Sequence, residues 1–538
     1  MGRQPLEENG VHRAKLWEIG FYALNNTSTN TYMMLVSSIS YFLIGIVGVG
    51  VVLAGSIVTI MRVWDGVTDP FVGYIVDKTN GKFGKNRPFI VAGQVIMFLS
   101  TLVMFRLIPL IPSAARFGVF IVIYAVYIVG YTCQCVVTKS AQSCLTNDPK
   151  QRPVFSMFDS VYNIALMSLF FPVYLSGTLV PKFTITTAEA GEKIAALVAK
   201  NPNLANVLTT GENGVQTLSA FYNPEMWQYM QLVFAGISVV FACFAIAGLW
   251  RKDRLKYFGT GKVVKVGLKD YADVLAHNRG IQMLVVAAGS DKLALQCTGN
   301  STVTICLFGI ICGNYAFNAS NSAITSIPIM LFSVFGIGYI ARSLGQKKCL
   351  VVGSIGAIVC AGLLAALVAF GGASSMMLPT FSLTKLSTWG SLFAPGSWSM
   401  FGVLFVLLYI GMKGFSNLSG SIVIPMTADC ADYETYRSGR YVPGLMGTLF
   451  SFVDKLISSL GATLVSIIFA IIGFKAALPT LETPYSGAIL AATLFCYLGM
   501  PAIGWILNLV SMKFYPLTKE KMVEIQGEIA RIKAEAAV

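Results

Sequence analysis

The 538-residue chain reads as an all-α polytopic membrane protein, with about twelve transmembrane helices arranged as two six-helix bundles. Three observations predict this. Hydrophobic residues make up 55% of the chain and charged ones 12%, with a mean hydropathy of +0.68, whereas soluble domains carry about 25% charged residues. The apolar residues fall in runs near the ~20 residues that a membrane-crossing helix needs, not in the short alternating segments of a β-barrel. A weak internal repeat also relates the two halves of the chain.

The first six runs lie at about 16–46, 47–76, 86–110, 114–146, 153–180 and 226–250. The second six lie at about 280–312, 318–341, 349–372, 398–428, 444–474 and 486–514. Domains are therefore expected at 1–250 and 280–515, joined by a basic linker at 251–279 and followed by a tail at 516–538. The formal charge of +14 does not point to nucleic acid. Lys78, Lys82, Lys85 and Arg87, then Lys150 and Arg152, then Arg251 to Lys269, then Arg342, Lys347 and Lys348, then Arg437 and Arg440 occupy alternate loops. That is the positive-inside pattern, and it places these loops and both termini in the cytoplasm of a cell-membrane protein. In the external loop 181–225 the stretch Thr187 to Lys200 reads as a short surface helix. Eleven scattered Cys and only two His show no metal-type spacing, so no metal or other cofactor beyond a coupling ion is expected. No nucleophile motif or nucleotide loop stands out, so no enzyme is expected either.

The most informative stretch is Arg62-Val63-Trp64-Asp65-Gly66-Val67-Thr68-Asp69-Pro70, inside the second run. Carboxylates at that depth are costly and usually mark an ion or substrate path. Asp65 and Asp69, four apart, share a helix face and repel. A proton or a metal cation between them removes the repulsion, and Thr68 adds a hydroxyl. An all-oxygen site suits a hard cation or a proton rather than zinc or copper.

The repeat is Gly73-Tyr74-Ile75-Val76-Asp77-Lys78 after run two, against Gly338-Tyr339-Ile340-Ala341-Arg342 after run eight. This resembles the inter-helix loop of the major facilitator superfamily, in which glycines permit close helix approach and the charges lock the cytoplasmic side. Gly73, Asp77, Lys78 and Arg342 are the residues so implied. Several further segments resemble the glycoside–pentoside–hexuronide:cation symporters: Arg62 to Pro70 continuing to Gly84-Lys85-x-Arg87-Pro88, then Tyr131-Thr132, then Ala428-Asp429-x-x-Asp432-Tyr433, and Lys455 in run eleven. The resemblance implies a cation held by Asp65, Thr68, Asp69 and Thr132, with Na+ or H+ left open. It implies gating roles for Asp429 and Asp432, and Lys455 near the cation.

The positions matching the acidic and aromatic sugar ligands of galactoside-type members are Thr27, Cys135 and Lys139, so a melibiose-like solute is not expected. Lys139, Lys292, Lys413 and Lys455 all lie within runs, and a cavity with surplus lysines attracts an anion. The alternative is that they neutralise buried acids or snorkel to an interface. The run Asn25-Asn26-Thr27-Ser28-Thr29-Asn30-Thr31, with Gln134, either hydrogen-bonds a polyhydroxylated ligand or packs helix on helix. The substrate candidates are therefore Asn26, Thr27, Asn30, Gln134, Cys135, Lys139, Lys413 and Lys455. The expectation is cation-coupled symport of a sugar or glycoside of uronide or sulfo-sugar type, by a functional monomer in the bilayer. A neutral sugar, or a receptor without turnover, are the alternatives.

Overall fold

In a bilayer a helix satisfies every backbone N–H and C=O within the segment, so long apolar runs have one low-cost conformation. The protein, described here from a computed structural model, is characterised at residues 7–8, 11–79, 81–146, 152–210, 214–254, 275–336, 339–340, 342–379, 390–391, 394–438, 443–518, 520–522, 524–525 and 528. Every expected run is largely helical over its described residues. The first half comprises α1 (Leu16–Val47), α2 (Val51–Lys78), α3 (Arg87–Leu110), α4 (Ser113–Ser140), α5 (Arg152–Asn163, continued by wider turns to Phe183) and α6 (Pro224–Leu249). The second comprises α7 (Arg279–Thr298 with Ser301–Ile311), α8 (Ala316–Gly336), α9 (Gln346–Phe370), α10 (Met400–Ser438), α11 (Pro443–Ile471) and α12 (Gly487–Phe514). Among the described residues nine helices are long and apolar enough to cross a membrane, or ten when the bent α7 is taken as one. The shortfall from twelve has visible causes: α8 carries Asn318, Ser320, Asn321, Ser322, Thr325 and Ser326, and the apolar part described for α11 is Leu456–Ile471. At the bend in α7 the Asn300 side chain accepts the Thr302 N–H at 2.9 Å and restarts the helix.

The helices form two compact units, α1–α6 and α7–α12. In the first, α1 packs on α5 and α6, and α4 on α2 and α3, with α3 also against α6. The second repeats every pairing six helices later: α7 on α11 and α12, α10 on α8 and α9, and α9 against α12. This is the structural form of the repeat seen in the sequence. α3 and α4 cross closely. There a Cβ on Gly93 would stand 2.7 Å from the Gly130 carbonyl, so only paired glycines allow it.

Two features were not anticipated. α10 runs about ten residues beyond the expected end at 428, so Asp429 and Asp432 lie on its last turns rather than in a loop. The segment Gly473–Thr483, between α11 and α12 in the chain, belongs to the first unit. Tyr222 Oη donates to the Leu478 carbonyl at 3.1 Å and accepts the Leu478 N–H at 2.9 Å. Tyr41 Oη donates to the Pro479 carbonyl at 3.0 Å, and the Val51 N–H to the Lys475 carbonyl at 3.2 Å. The expected helix Thr187–Lys200 is present in the loop beside it. That loop is pinned by the buried Arg116, which donates to Asn201 Oδ1 at 2.6 Å and to the Ile46 carbonyl at 2.9 Å.

Candidate functional site

α2 is unbroken from Val51 to Lys78 through Pro70, so Asp65 and Asp69 stand one turn apart. Asp65 is fully buried and Asp69 half-buried. The packing of α4 on α2 brings Thr132 to this point. Thr132 Oγ1 donates to Asp65 Oδ1 at 3.0 Å, and lies 2.9 Å from both the Ile128 carbonyl and Thr68 Oγ1. Thr68 Oγ1 in turn lies 3.0 Å from the Asp65 carbonyl. Five oxygens are thus linked by contacts of hydrogen-bond length, while the two hydroxyls bring two protons between them. Such an oxygen-rich cluster suits a hard cation or a proton. Arg62, a turn earlier, places Nη1 3.9 Å from Asp65 Oδ2 and its guanidinium 5.8 Å from the centre of the Tyr131 ring.

The polar face of α1 is engaged within the same bundle. Asn26 Nδ2 donates to Asp159 Oδ1 at 2.6 Å, and Asn30 Nδ2 to Asn163 Oδ1 at 2.7 Å. These are two rungs of one ladder, with four-residue spacing on both α1 and α5, and all four side chains are partly exposed. Deeper in, Ser28 Oγ lies 2.7 Å from Ser238 Oγ and 3.3 Å from Gln94 Oε1. Gln134 is fully buried: it accepts Thr29 Oγ1 at 2.8 Å and donates to Gln94 Oε1 at 3.0 Å. Thr27 is buried on the wall of an apolar crevice of about 830 Å³, shared with Leu24, Tyr162, Phe170 and Phe241. Cys135 is half-buried on α4.

Lys413, half-buried on α10, lies 5.9 Å from the Tyr409 ring centre, and among the described residues no carboxylate stands within ion-pair distance of it. Lys139 falls on α4, Lys455 on α11, Asp77 and Lys78 on the last turn of α2, Asp432 on α10 and Arg342 on a short turn before α9; their side chains lie outside the described residues. Asp429 is half-buried. Gly73 faces open space, since a Cβ there would meet nothing within 4 Å.

The sequence marks Asp159 only as an acid within a run or near its end, and sequence reasoning passed over Asn163, Gln94 and Asp253. The shared four-residue spacing of Asn26/Asn30 and Asp159/Asn163 was the available signal for the Asp159 and Asn163 pairings. Nothing local marks Asp253, which lies beyond α6 yet is fully buried.

Among the described residues, twelve helices in two equivalent sets, with a carboxylate–hydroxyl cluster inside the first, fit a secondary transporter of the major facilitator class. A family model described as MFS/sugar transport protein matches residues 21–519. The chain is a member of that family and, within it, of the glycoside–pentoside–hexuronide:cation symporters. It is 22% identical over 513 residues to the glucuronide carrier protein homolog of Escherichia coli K12, covering 94% of each chain. It is 21% identical over 507 residues to the isoprimeverose transporter of Lactiplantibacillus pentosus, covering 93% of this chain and 88% of the other. The fold matches the nucleoside transporter NupG with a TM-score of 0.57 at 11% identity, over 93% of this chain and 100% of that one.

Proposed function

We propose that this protein carries an acidic sugar or glycoside across the cell membrane, coupled to an Na+ or H+ that binds among Asp65, Thr68, Asp69 and Thr132. The observation that carries the reading is the buried cluster of five oxygens with two hydroxyl protons on α2 and α4. A bound cation offsets the charge of Asp65 and draws α2 and α4 together. Solute and cation then tighten each other by the same factor. Lys413 supports an anionic solute, as a half-buried cation without a carboxylate beside it among the described residues.

A second reading, a neutral sugar, is favoured by the Asn26–Asp159 and Asn30–Asn163 rungs. Amide and carboxylate groups of this kind suit sugar hydroxyls, and Asp159 repels an anion. Thermal-shift screening of the purified protein against neutral sugars, uronides and sulfo-sugars, with and without sodium, separates the two. Selective stabilisation is expected with the acids. Stabilisation only by neutral sugars would establish the second reading.

A further inference from the structure

The second unit contains a half-buried carboxyl group that the transport site does not use. Asp291, in the middle of α7, faces α10 and α12. Asn508 Nδ2 donates to Asp291 Oδ1 at 2.9 Å, and Ser419 Oγ stands 3.3 Å from Asp291 Oδ2. Around them, Asn508 also reaches Ser354 Oγ on α9 at 3.4 Å and Ser290 Oγ at 3.4 Å.

The internal repeat gives this cluster a counterpart. Ser28, Gln94, Gln134 and Ser238 form the equivalent knot among α1, α3, α4 and α6. Asp291, Ser354, Ser419 and Asn508 come from α7, α9, α10 and α12, each six helices later. Ser28 and Asp291 even fall twelve residues after the first residue of their helices, Leu16 and Arg279. The first knot is neutral throughout. The second has the same architecture with one ionisable member.

Among the described residues, no cation stands within ion-pair distance of Asp291. Lys292, the next residue on the same helix, is exposed and forms no ion pair with Asp291. On α10 the nearest described cation is Lys413, six residues and about 9 Å of rise before Ser419. Lys347 on α9 donates to the Tyr515 carbonyl at 2.7 Å, and Lys513 lies at the far end of α12. From α11, Ile457 packs against Gly289, while the side chains of Asp454 and Lys455 lie outside the described residues. Among the described residues, the hydrogen-bond partners of Asp291 are a neutral amide and a hydroxyl.

The hydroxyl geometry points the same way. Ser419 has one proton, and the Ser416 carbonyl lies 2.8 Å from its Oγ, nearer than Asp291 at 3.3 Å. With that proton on Ser416, Ser419 turns a lone pair toward Asp291 Oδ2. Two acceptors then face each other, and a proton on Oδ2 resolves the conflict. The neutral acid accepts from Asn508 on one oxygen and donates to Ser419 from the other. A metal cation fits less well, because Asn508 presents its N–H side here.

We propose that Asp291 is a proton-binding site of the second bundle, held as the neutral acid in the folded protein and distinct from the Asp65/Asp69 site. The protein then has a proton-carrying group whichever ion drives transport.

The test is infrared spectroscopy of the purified full-length protein at neutral pH. It requires neither substrate nor turnover, so its failure and the failure of the symport reading are distinguishable. Wild type is expected to show the C=O absorbance of a protonated carboxyl that Asp291→Asn loses. The substituted amide reproduces the hydrogen bonds of the acid, so Asp291→Asn should fold. Ser419→Ala should keep the band and shift it to higher frequency, as the acid loses its acceptor. Exchanging choline chloride for sodium chloride should leave the Asp291 band in place. Identical spectra for wild type and Asp291→Asn, no shift in Ser419→Ala, or loss of the band on adding sodium would each overturn the proposal.

Discussion

Asn86, at the start of α3, places both its backbone N–H and its side-chain amide on the carboxylate of Asp253, which lies just beyond the end of α6. The backbone N–H is 3.0 Å from Oδ2 and the amide 3.0 Å from Oδ1. Lys85 N–H and Arg87 N–H join them at 3.1 and 3.0 Å, and Arg87 Nε lies 3.5 Å from Oδ2. A fully buried acid here caps the helix N-terminus, where the peptide dipoles favour negative charge. The turn leading in depends on Gly84, at φ +94°, where any Cβ would overlap the Asp253 carboxylate.

Removing this acid strands several buried donors together. Asp253→Ala is therefore expected to cost about 3 kcal/mol. Asp253→Asn should cost less, because the amide oxygen still accepts. Thermal unfolding of the purified variants measures both, and an Asp253→Ala midpoint equal to wild type would refute the capping role.

At the cation site, Thr132→Ser keeps the hydroxyl and Thr132→Val removes it at nearly constant volume. A hydrogen bond to a charged group contributes about 1.5–3 kcal/mol, or roughly 10–100-fold in affinity. Thr132→Val should raise the half-saturating cation concentration for uptake by about that factor, while Thr132→Ser stays near wild type. Cation titration of initial uptake rates in proteoliposomes checks this.

The segment Gly473–Thr483 should respond to pH through Glu482. Burial pushes the Glu482 carboxyl above its ordinary value. The folded state therefore prefers the neutral acid. Its stabilising contribution is complete below the unfolded value and is lost as pH rises through the folded one. The Leu478 amide, which donates to Tyr222 Oη, should exchange more slowly in mildly acid than in mildly alkaline buffer, after correction for intrinsic rates. Glu482→Gln should flatten that difference, and an opposite slope in wild type would contradict the assignment.

Solute charge is expected to be read in part by Lys413. Lys413→Gln should weaken binding of acidic sugars by about tenfold, the effect of losing one modest charge contact of ~1.4 kcal/mol. Neutral analogues should change little. Competition binding with paired acidic and neutral sugars measures the ratio, and equal loss for both would assign Lys413 a packing role.

Much of this was legible in the chain because membrane spans write themselves as long apolar runs. The carboxylate pair of α2 was visible for the same reason, since charge at that depth stands out against its neighbours. The roles of the α1 amides were not, because a polar residue facing a ligand and one facing another helix look alike in one dimension. Asn26 and Asn30 meet Asp159 and Asn163, and Gln134 meets Gln94, through contacts between residues 133 and 40 positions apart. The docking of Leu478 on Tyr222, 256 positions apart, was equally hidden, as was the burial of Asp253 in a stretch that reads as the start of a basic linker.

The most direct test of the account is solute accumulation in proteoliposomes under an imposed sodium or proton gradient, comparing wild type with Asp65→Asn and Asp69→Asn. Wild type is predicted to concentrate solute only when the coupling gradient is present, and neither variant is predicted to concentrate it. Accumulation by either variant at the wild-type level would contradict the claim that these two carboxylates hold the driving cation.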